Sequence, residues 1–404
     1  ARARVLTGDE VVLLEARDRL GGQLAKHSVA GMDLDAGAEA FAARGEAVPR
    51  LLAALGQSGD VVSPVPAPAW LHRADGSAVP LPATSLLGIP GTPLARDVVD
   101  AIGMRAAMRA QLDALLPSFA GARAATLGEL VRRRMGRGVL EGLVAPVVRG
   151  VHSTTPDALE LDRAHPGLRA ALARDGTLAR AVQGLRAAAP AGALVSSLRG
   201  GMFRLVDALA AELDRFGAGV RLREPVAEAD AEGVTTEAGE RLEGTVVIAA
   251  ALGEDRPRTR VRLATIVLDA PELAEAPRGT GVLVAPEAPG IAARALTHLS
   301  AKWPWLAERT PLQLLRLSYD ADVEVTAALA HRDAQALLGR SLPAPIEVAV
   351  VEWERAGRRA GDEHADDGMF RTGESESGTG LAAVIAHAEA VARQIPRVDP
   401  GRGG

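Results

Sequence analysis

The stretch Val11-Val12-Leu13-Leu14-Glu15-Ala16-Arg17-Asp18-Arg19-Leu20-Gly21-Gly22-Gln23 decides which fold the sequence predicts. Its four consecutive aliphatic residues are typical of a short strand buried on both faces of a parallel sheet. Glu15 ends this strand, and an acid at that point of a dinucleotide-binding βαβ unit accepts hydrogen bonds from ribose hydroxyls. Gly21 and Gly22 allow backbone N–H groups to approach a pyrophosphate. An ordinary buried strand followed by a glycine turn would show the same sequence pattern. The predicted nucleotide contacts are Glu15, Ala16, Arg17, Gly21, Gly22 and Gln23.

The sequence does not contain the glycine-rich phosphate loop of such a unit. A G-x-G-x-x-G loop is expected roughly 20 residues before the acid, and only fourteen residues precede Glu15. Residues 1–8 have the alanine, leucine and final glycine of the last turns of a crossover helix. We therefore expect the first strand and its phosphate loop to lie upstream of residue 1.

Further motifs follow along nearly the whole chain. Residues 31–41 read GMDLDAGAEAF and precede a leucine-rich helix that ends at Leu55-Gly56. Together with the opening stretch, these features resemble the flavin-dependent amine oxidase superfamily. The later motifs are similar to those of one family within it, the bacterial protoporphyrinogen and coproporphyrinogen oxidases, and the arginine-rich composition resembles actinobacterial members. These motifs are Leu81-Pro82, Leu87-Gly88-Ile89-Pro90, LVAPVVRGV at 143–151, Gly200-Gly201-Met202, GVLV at 281–284, KWPWL at 302–306 and GTGLA at 378–382.

The resemblance implies an FAD-dependent oxidase of heme biosynthesis. A hydride would leave a bridging methylene of a porphyrinogen for flavin N5, and oxygen would reoxidise the flavin with release of hydrogen peroxide. The protein would mainly orient the cofactor and the substrate. We expect coproporphyrinogen III as the substrate and keep protoporphyrinogen IX as the alternative.

The resemblance also implies the residues that surround the flavin. Gly150 would lie at its reactive face, where any side chain would block the substrate; the alternative is a glycine that breaks a helix. Glu39 would lie near the isoalloxazine, or it would be a salt-bridged acid at a helix start. The other implied cofactor contacts are Gly37, Ala38, Val226 beside the adenine, Ala250, Gly373, Gly378, Thr379 and Gly380, the last three where a helix begins.

Cationic side chains are the candidates for binding the propionate groups of the substrate. Arg44 and Arg149 could pair bidentately with carboxylates, although each also fits a surface role. Lys302 could do the same, or its stem could pack on Trp303 or Trp305. The remaining predicted substrate contacts are Thr280, Gly281 and Leu283.

The expected fold class is a mixed α/β protein with several connected domains, because 404 residues exceed one hydrophobic core. A Rossmann-like FAD-binding domain takes residues 1–63, 196–251 and 368–404. An inserted β-sheet substrate domain takes residues 64–90 and 252–352, including a hairpin within 70–82. An all-helical subdomain takes residues 91–195, and residues 353–367 are expected to form a loop or a truncated linker.

Composition argues against several other classes of protein. A net charge of −5 does not suit a general nucleic-acid binder. The chain has no cysteine and its eight histidines lack metal-ligand spacing, so we predict no disulfide and no metal site. No apolar run approaches the ~20 residues of a membrane span, and no signal peptide is visible. We expect a cytoplasmic enzyme, and leave open a peripheral membrane contact and partner enzymes of the heme pathway.

Three alternatives remain at this point. An amine oxidase of the same superfamily would line the flavin with paired aromatic side chains, usually tyrosines, and this chain has a single tyrosine, Tyr319. Carotenoid desaturases share the flavin motifs but not PVVRGV or KWPWL. An inactive flavin-binding scaffold is suggested by the missing phosphate loop, and the absorbance of the purified protein in the flavin bands would distinguish it from a holo-enzyme.

Overall fold

The computed structural model describes residues 1–43, 45–188, 195–250, 258–356, 367–378 and 380–396. The helices are α1 Arg2–Val5, α2 Ala47–Ala54, α3 Arg96–Gln111, α4 Leu127–Arg134, α5 Arg137–Val139, α6 Ala145–His152, α7 Leu161–Ala164, α8 Leu168–Asp175, α9 Leu178–Ala187, α10 Phe203–Arg215, α11 Leu299–Lys302, α12 Pro304–Arg309, α13 Ala327–Leu338, α14 Glu374–Ser377 and α15 Leu381–Gln394. The strands are β1 Val12–Glu15, β2 Lys26–Val29, β3 Met32–Asp35, β4 Phe41–Ala42, β5 Val61–Val62, β6 Trp70–His72, β7 Ala78–Pro80, β8 Ser85–Leu86, β9 Ile89–Pro90, β10 Val195–Leu198, β11 Gly219–Leu222, β12 Val226–Ala229, β13 Gly233–Thr236, β14 Arg241–Glu243, β15 Val247–Ile248, β16 Arg258–Leu268, β17 Gly281–Val284, β18 Ala295–His298, β19 Gln313–Tyr319, β20 Glu347–Ala356 and β21 Phe370–Arg371. The mixed α/β class is therefore confirmed.

The opening stretch forms strand β1, which ends at Glu15 as predicted. β1 lies parallel to β11, with Val12 beside Gly219 and Glu15 beside Leu222. The prediction that β1 is buried on both faces is wrong, because Val12 is 44% exposed. Within the described residues β11 is the strand that pairs with β1, so the aliphatic side chains are only partly covered.

A seven-stranded sheet is the largest sheet in the described part of the chain, with the strand order β20-β16-β19-β18-β17-β6-β7. The predicted hairpin is present as β6 and β7, and it joins the sheet through parallel pairing of β6 with β17. The sheet packs on α13 through a fully buried aliphatic cluster that includes Ile266, Leu317 and Leu337. β20 pairs with β16 as far as Ala356, so the expected loop at 353–367 is wrong for its first four residues. Residues 357–366 lie outside the described residues.

Helices dominate residues 96–187, as the sequence predicted. Their core is aliphatic, but it also contains Arg134, whose side chain is fully buried. The guanidinium pairs with Asp113 and donates to the carbonyl oxygens of Pro117, Ala120 and Gly176. A buried charge is tolerated when it is paired and its donors are satisfied, and these contacts fix several loops around α4.

The sequence pattern also predicts an amphipathic helix from Met202 to Phe216, and the structure has it as α10, whose N-terminus is capped by a buried carboxylate. The Asp35 carboxylate accepts hydrogen bonds from the backbone N–H groups of Met202 and Phe203, each at 3.0 Å. Gly201 has φ +115°, and a Cβ there would lie 3.2 Å from Asp35 Oδ1 and closer still to the Phe203 ring. Burial raises the pKa of Asp35 to about 6, although the two backbone N–H groups and Arg316 oppose this.

A second carboxylate, that of Glu39, is 18% exposed and joins the segment after β3 to the large sheet. Lys302 at the end of α11 pairs with Glu39 Oε1, and Arg316 Nη1 of β19 lies 3.4 Å from Oε2. The Arg316 guanidinium also donates to the backbone carbonyl of Asp35. Burial acts to raise the pKa of Glu39, but Lys302 and Arg316 outweigh it and hold the pKa below its ordinary value. Glu39 is therefore ionised at neutral pH.

Asp35 should give the protein an unusual dependence of stability on pH. Its folded-state pKa is raised, so the folded protein keeps the proton longer than the unfolded chain. The free energy of unfolding should therefore lose up to roughly 3 kcal/mol from this residue as pH rises from about 4 to about 6. For Asp35→Asn, the free energy of unfolding measured in urea should change with pH across this range with a more positive slope than for the wild type. Parallel curves for the two proteins would contradict the assignment.

Glu39→Ala should destabilise the fold, because it leaves Lys302 and Arg316 without their shared counterion. Arg316 is only 7% exposed at its side chain, so we expect a loss of about 3 kcal/mol in the free energy of unfolding. The control is Glu308→Ala, which removes an exposed partner of Arg199 and should cost less than ~1 kcal/mol. Equal losses in the two variants would show that the Glu39 contacts are not specially stabilising.

Candidate functional site

The glycine loops predicted to hold the cofactor contact one another. A Cβ on Gly37 would lie 2.5 Å from the carbonyl oxygen of Gln23, so the two backbones meet where only glycine fits. The side-chain amide of Gln23 donates to Glu374, the residue after Gly373. The structure thus brings together Gln23, Gly37 and Gly373, which lie far apart in sequence.

Two further strands end at the same cluster. β15 and β21 are parallel, with Val247 beside Phe370, so the residues that follow them share one edge. A Cβ on Gly373 would lie 3.0 Å from the carbonyl oxygen of Ala249, which precedes the predicted Ala250. Ligands of open α/β sheets bind outside the carboxyl ends of parallel strands. The placement of Ala250 and Gly373 follows that rule.

Glu15 also lies at a carboxyl end, beside the start of the β12 hairpin. Its Oε1 accepts from the backbone N–H of Arg17 at 2.9 Å, while its carbonyl oxygen accepts from Glu224 N–H at 3.0 Å. The carbonyl oxygen of Arg17 accepts from Arg223 N–H in the same way. These bonds interlock the loops after β1 and β11, and Glu224, which binds the Glu15 carbonyl, lies two residues before Val226.

The predicted reactive glycine, Gly150, lies in α6 and packs on the large sheet. A Cβ there would lie 2.5 Å from Leu283 Cδ2 and 3.5 Å from the Cβ of Ala295. The structure therefore places Gly150 against Leu283, a predicted substrate contact. Gly281 of the same strand pairs with Thr297, and the carbonyl of Thr280 accepts from His298 N–H at 3.0 Å.

A short π-helical segment, residues 140–144, leads into α6. A Cβ on Gly88 would lie 2.5 Å from the carbonyl oxygen of Leu143, and Gly88 has φ +79°. This contact fixes the β8–β9 turn on the π-helical segment. The motifs LGIP and LVAPVVRGV, distant in sequence, therefore support each other beside Gly150.

The charged candidates have partners within the protein. Arg149 Nη2 donates to Asp320 Oδ2 at 3.0 Å, and Asp320 Oδ1 lies 3.2 Å from Arg294 Nη1. Lys302 pairs with Glu39 and lies 5.0 Å from the centre of the Trp303 ring. The structural interpretation of Lys302, in which it packs on Trp303, thus agrees with its contacts, and a substrate role stays a prediction.

The cluster of glycine loops fits a dinucleotide such as FAD. Gly22 (φ +56°) and Gly380 (φ +109°) have open space beside their Cα atoms, so a phosphate or a ring can approach the backbone. Gly380 also precedes α15, whose N-terminus favours negative charge. Glu15 Oε2 is left for a ribose hydroxyl, since Oε1 holds the Arg17 N–H.

Some candidates and one cavity lie elsewhere. Arg44 and Thr379 fall outside the described residues, while Ala16, Arg17 and Ala38 are exposed. A cavity of about 680 Å³ opens between β7 and α3, and its lining contains none of the predicted site residues.

In the described ranges no cluster of three or more His, Asp or Glu could hold a metal ion. No helix in that part of the chain is long and apolar enough to cross a membrane.

Sequence reasoning missed Asp35, Arg316, Arg294 and Asp320. Arg316 could have been found, because it is the single charged residue in the strand sequence QLLRLSY. Asp35 lies in the quoted motif GMDLDAGAEAF but gives no sign of its distant partner, α10. Arg294 and Asp320 are visible only after β18 and β19 are paired.

Known proteins resemble the chain over most of its length. It is 30% identical over 405 residues to the coproporphyrinogen III oxidase of Mycobacterium leprae (strain TN), covering 90% of this chain and 86% of that one. It is 29% identical over 398 residues to the coproporphyrinogen III oxidase of Mycobacterium tuberculosis (strain ATCC 25618 / H37Rv), covering 90% and 85%. These relatives agree with the actinobacterial resemblance inferred from the motifs.

Solved structures share the fold. A crystal structure from Exiguobacterium sp. 255-15, assigned to protoporphyrinogen oxidase, has a TM-score of 0.79 at 22% identity and covers 97% of this chain and 94% of that one. Putrescine oxidase bound to putrescine has a TM-score of 0.64 at 14% identity, with coverage of 97% and 94%. At these identities the likeness concerns the fold alone.

The family is shown by a match to a family model. Residues 3–279 match the family described as flavin containing amine oxidoreductase, which is well over half of the chain. This match confirms the predicted FAD cofactor, which the glycine cluster fits. The chain belongs to the flavin containing amine oxidoreductases and is an FAD-dependent oxidoreductase.

Proposed function

We propose that this chain oxidises coproporphyrinogen III to coproporphyrin III with oxygen as the electron acceptor and hydrogen peroxide as the by-product. The relatives that match across 85–86% of their length are named coproporphyrinogen III oxidase. The proposal includes a cytoplasmic location, which suits a chain without cysteine. It also includes the domain boundaries and the roles of the site residues given by the sequence.

One observation carries the choice of a porphyrinogen over an amine. Tyr319, the single tyrosine of the chain, is fully buried within the core of the large sheet. It therefore does not supply the paired aromatic side chains that steer an amine to the flavin. The residues around Gly150 are instead aliphatic, Leu283 and Ala295, with an arginine and carboxylate cluster beside them. Such a site suits a large apolar ring with carboxylates at its rim.

The chain's own residues would hold and orient the reactants. Glu15 and the loops at Gly22 and Gly380 would bind FAD, which supplies the hydride acceptor. Gly150 would lie at the flavin face, where the absence of a side chain lets α6 pack closely on Leu283. Glu39 is paired with Lys302 and Arg316 rather than free to act as a base, so orientation would dominate the rate.

Glu15→Ala should weaken FAD binding roughly 10- to 100-fold, because charge-assisted hydrogen bonds to the ribose are each worth about 1.5–3 kcal/mol. Flavin fluorescence after serial dilution measures the loss. Glu10→Ala, an exposed acid before the same strand, is the matched control and should bind FAD like the wild type. Full flavin retention in Glu15→Ala would remove Glu15 from the site.

The choice between the two substrates can be tested by salt. Coproporphyrinogen carries four carboxylates and protoporphyrinogen carries two, so charge attraction contributes more to binding the former, and salt screens it. Oxygen uptake should be faster with coproporphyrinogen III, and its KM should rise more steeply with ionic strength. A clear preference for protoporphyrinogen, or identical salt dependence for the two, would refute the choice of coproporphyrinogen III and leave the flavin-dependent oxidase intact.

A further inference from the structure

Asp320 connects two arginines beside Gly150. Its Oδ2 accepts from Arg149 Nη2 at 3.0 Å, and its Oδ1 lies 3.2 Å from Arg294 Nη1. The Arg294 side chain is 4% exposed, whereas those of Arg149 and Asp320 are 27% and 43% exposed. Arg294 thus contacts the Asp320 carboxylate from the protein interior, and Arg149 is the outer arginine, which contacts it nearer to solvent.

The position of this trio relates it to the proposed reacting face. Arg149 directly precedes Gly150 in α6, and Ala295, which follows Arg294, would lie 3.5 Å from a Cβ on Gly150. Asp320 follows β19, whose Ser318 pairs with Ala295. The three side chains therefore come from α6, from the residue before β18 and from the end of β19, and they meet where the helix crosses the sheet.

The charges of the trio favour an anion. Two guanidinium groups share one carboxylate, which leaves a net charge of +1 in a chain whose net charge is −5. In the described part of the chain, the Arg149 guanidinium uses one of its five N–H donors on Asp320. The other donors can bind a carboxylate with the bidentate geometry that arginine favours.

We propose that Asp320 is a positioning residue that fixes the Arg149 guanidinium to bind a propionate group of the porphyrinogen at the Gly150 face. Arg294 fixes Asp320 in turn, so that the outer arginine is held before the substrate arrives. This arrangement reduces the loss of side-chain freedom on binding. The inference rests on the proposed function, because it takes the substrate to carry propionates.

A purely structural salt bridge makes a different prediction. An ion pair as exposed as this one contributes little to stability, typically below ~1 kcal/mol, and its removal would leave ligand binding unchanged. A positioning role requires instead that Asp320→Ala and Arg149→Ala weaken the same contact. Their effects on binding would then overlap rather than add.

The test measures binding of coproporphyrin III by quenching of its fluorescence, alongside steady-state oxygen uptake with coproporphyrinogen III. Arg149→Ala should raise both Kd and KM roughly 10-fold, with kcat within about twofold of the wild type, the size expected for one charge-assisted contact. Asp320→Ala should raise them in the same direction, and the double variant should be no weaker than Arg149→Ala alone. Asp320→Asn, which keeps the shape, should give an intermediate value and replaces Asp320→Ala if that variant does not fold.

The matched control is Glu240→Ala, which breaks the exposed Arg221–Glu240 pair and should leave Kd, KM and kcat unchanged. Unchanged Kd and KM in the Asp320 variants, or additive effects in the double variant, would overturn the positioning role. Porphyrin binding is measured without turnover, so it tests Asp320 even if the wild type oxidises neither porphyrinogen. That latter outcome would refute the proposed function alone.

Discussion

The Glu39 carboxylate is the contact on which the arrangement of the site depends. It lies two residues after Gly37, which contacts the Gln23 loop, and it binds Lys302 and Arg316 of the substrate-side elements. Burying these charges is costly, and the cost is offset only when each finds its partner in the correct geometry. The three charged residues Glu39, Lys302 and Arg316 therefore favour one position of the glycine loops relative to the large sheet. Asp35 stabilises the same arrangement, because its carbonyl oxygen binds Arg316 and its carboxylate caps α10.

The sequence motifs that suggested the family act in pairs in the folded chain. Gly88 of LGIP packs on the π-helical start of LVAPVVRGV, and Gly150 of that motif packs on Leu283 of GVLV. Lys302 of KWPWL binds Glu39 of GAEA. In each pair, either a glycine allows two elements to approach closely, or two opposite charges form an ion pair. These requirements explain why glycines and charged residues stand in motifs whose other members are aliphatic.

The sequence predicted the element types better than the charged contacts. Periodicity and glycine placement identified β1, the β6–β7 hairpin, α10 and α15, because these signals are local. The family resemblance supplied Gly150 and Leu283, which the structure brings together. It did not supply Arg316 or Asp320. The single charge in QLLRLSY draws attention to Arg316, but nothing local in the sequence indicates the distant partners of Arg316 and Asp320. Burial of β1 was overestimated, because exposure depends on neighbouring strands rather than on hydrophobicity alone.

We propose that FAD bound at the glycine cluster accepts electrons directly from a porphyrinogen at the Gly150 face. An anaerobic titration of the FAD-loaded protein with coproporphyrinogen III, followed by the visible absorption of the flavin, tests this transfer. The flavin band should bleach as the porphyrin bands appear, and admission of oxygen should restore it. A flavin that stays oxidised while the wild type remains folded and FAD-bound would show that the porphyrinogen does not reduce it.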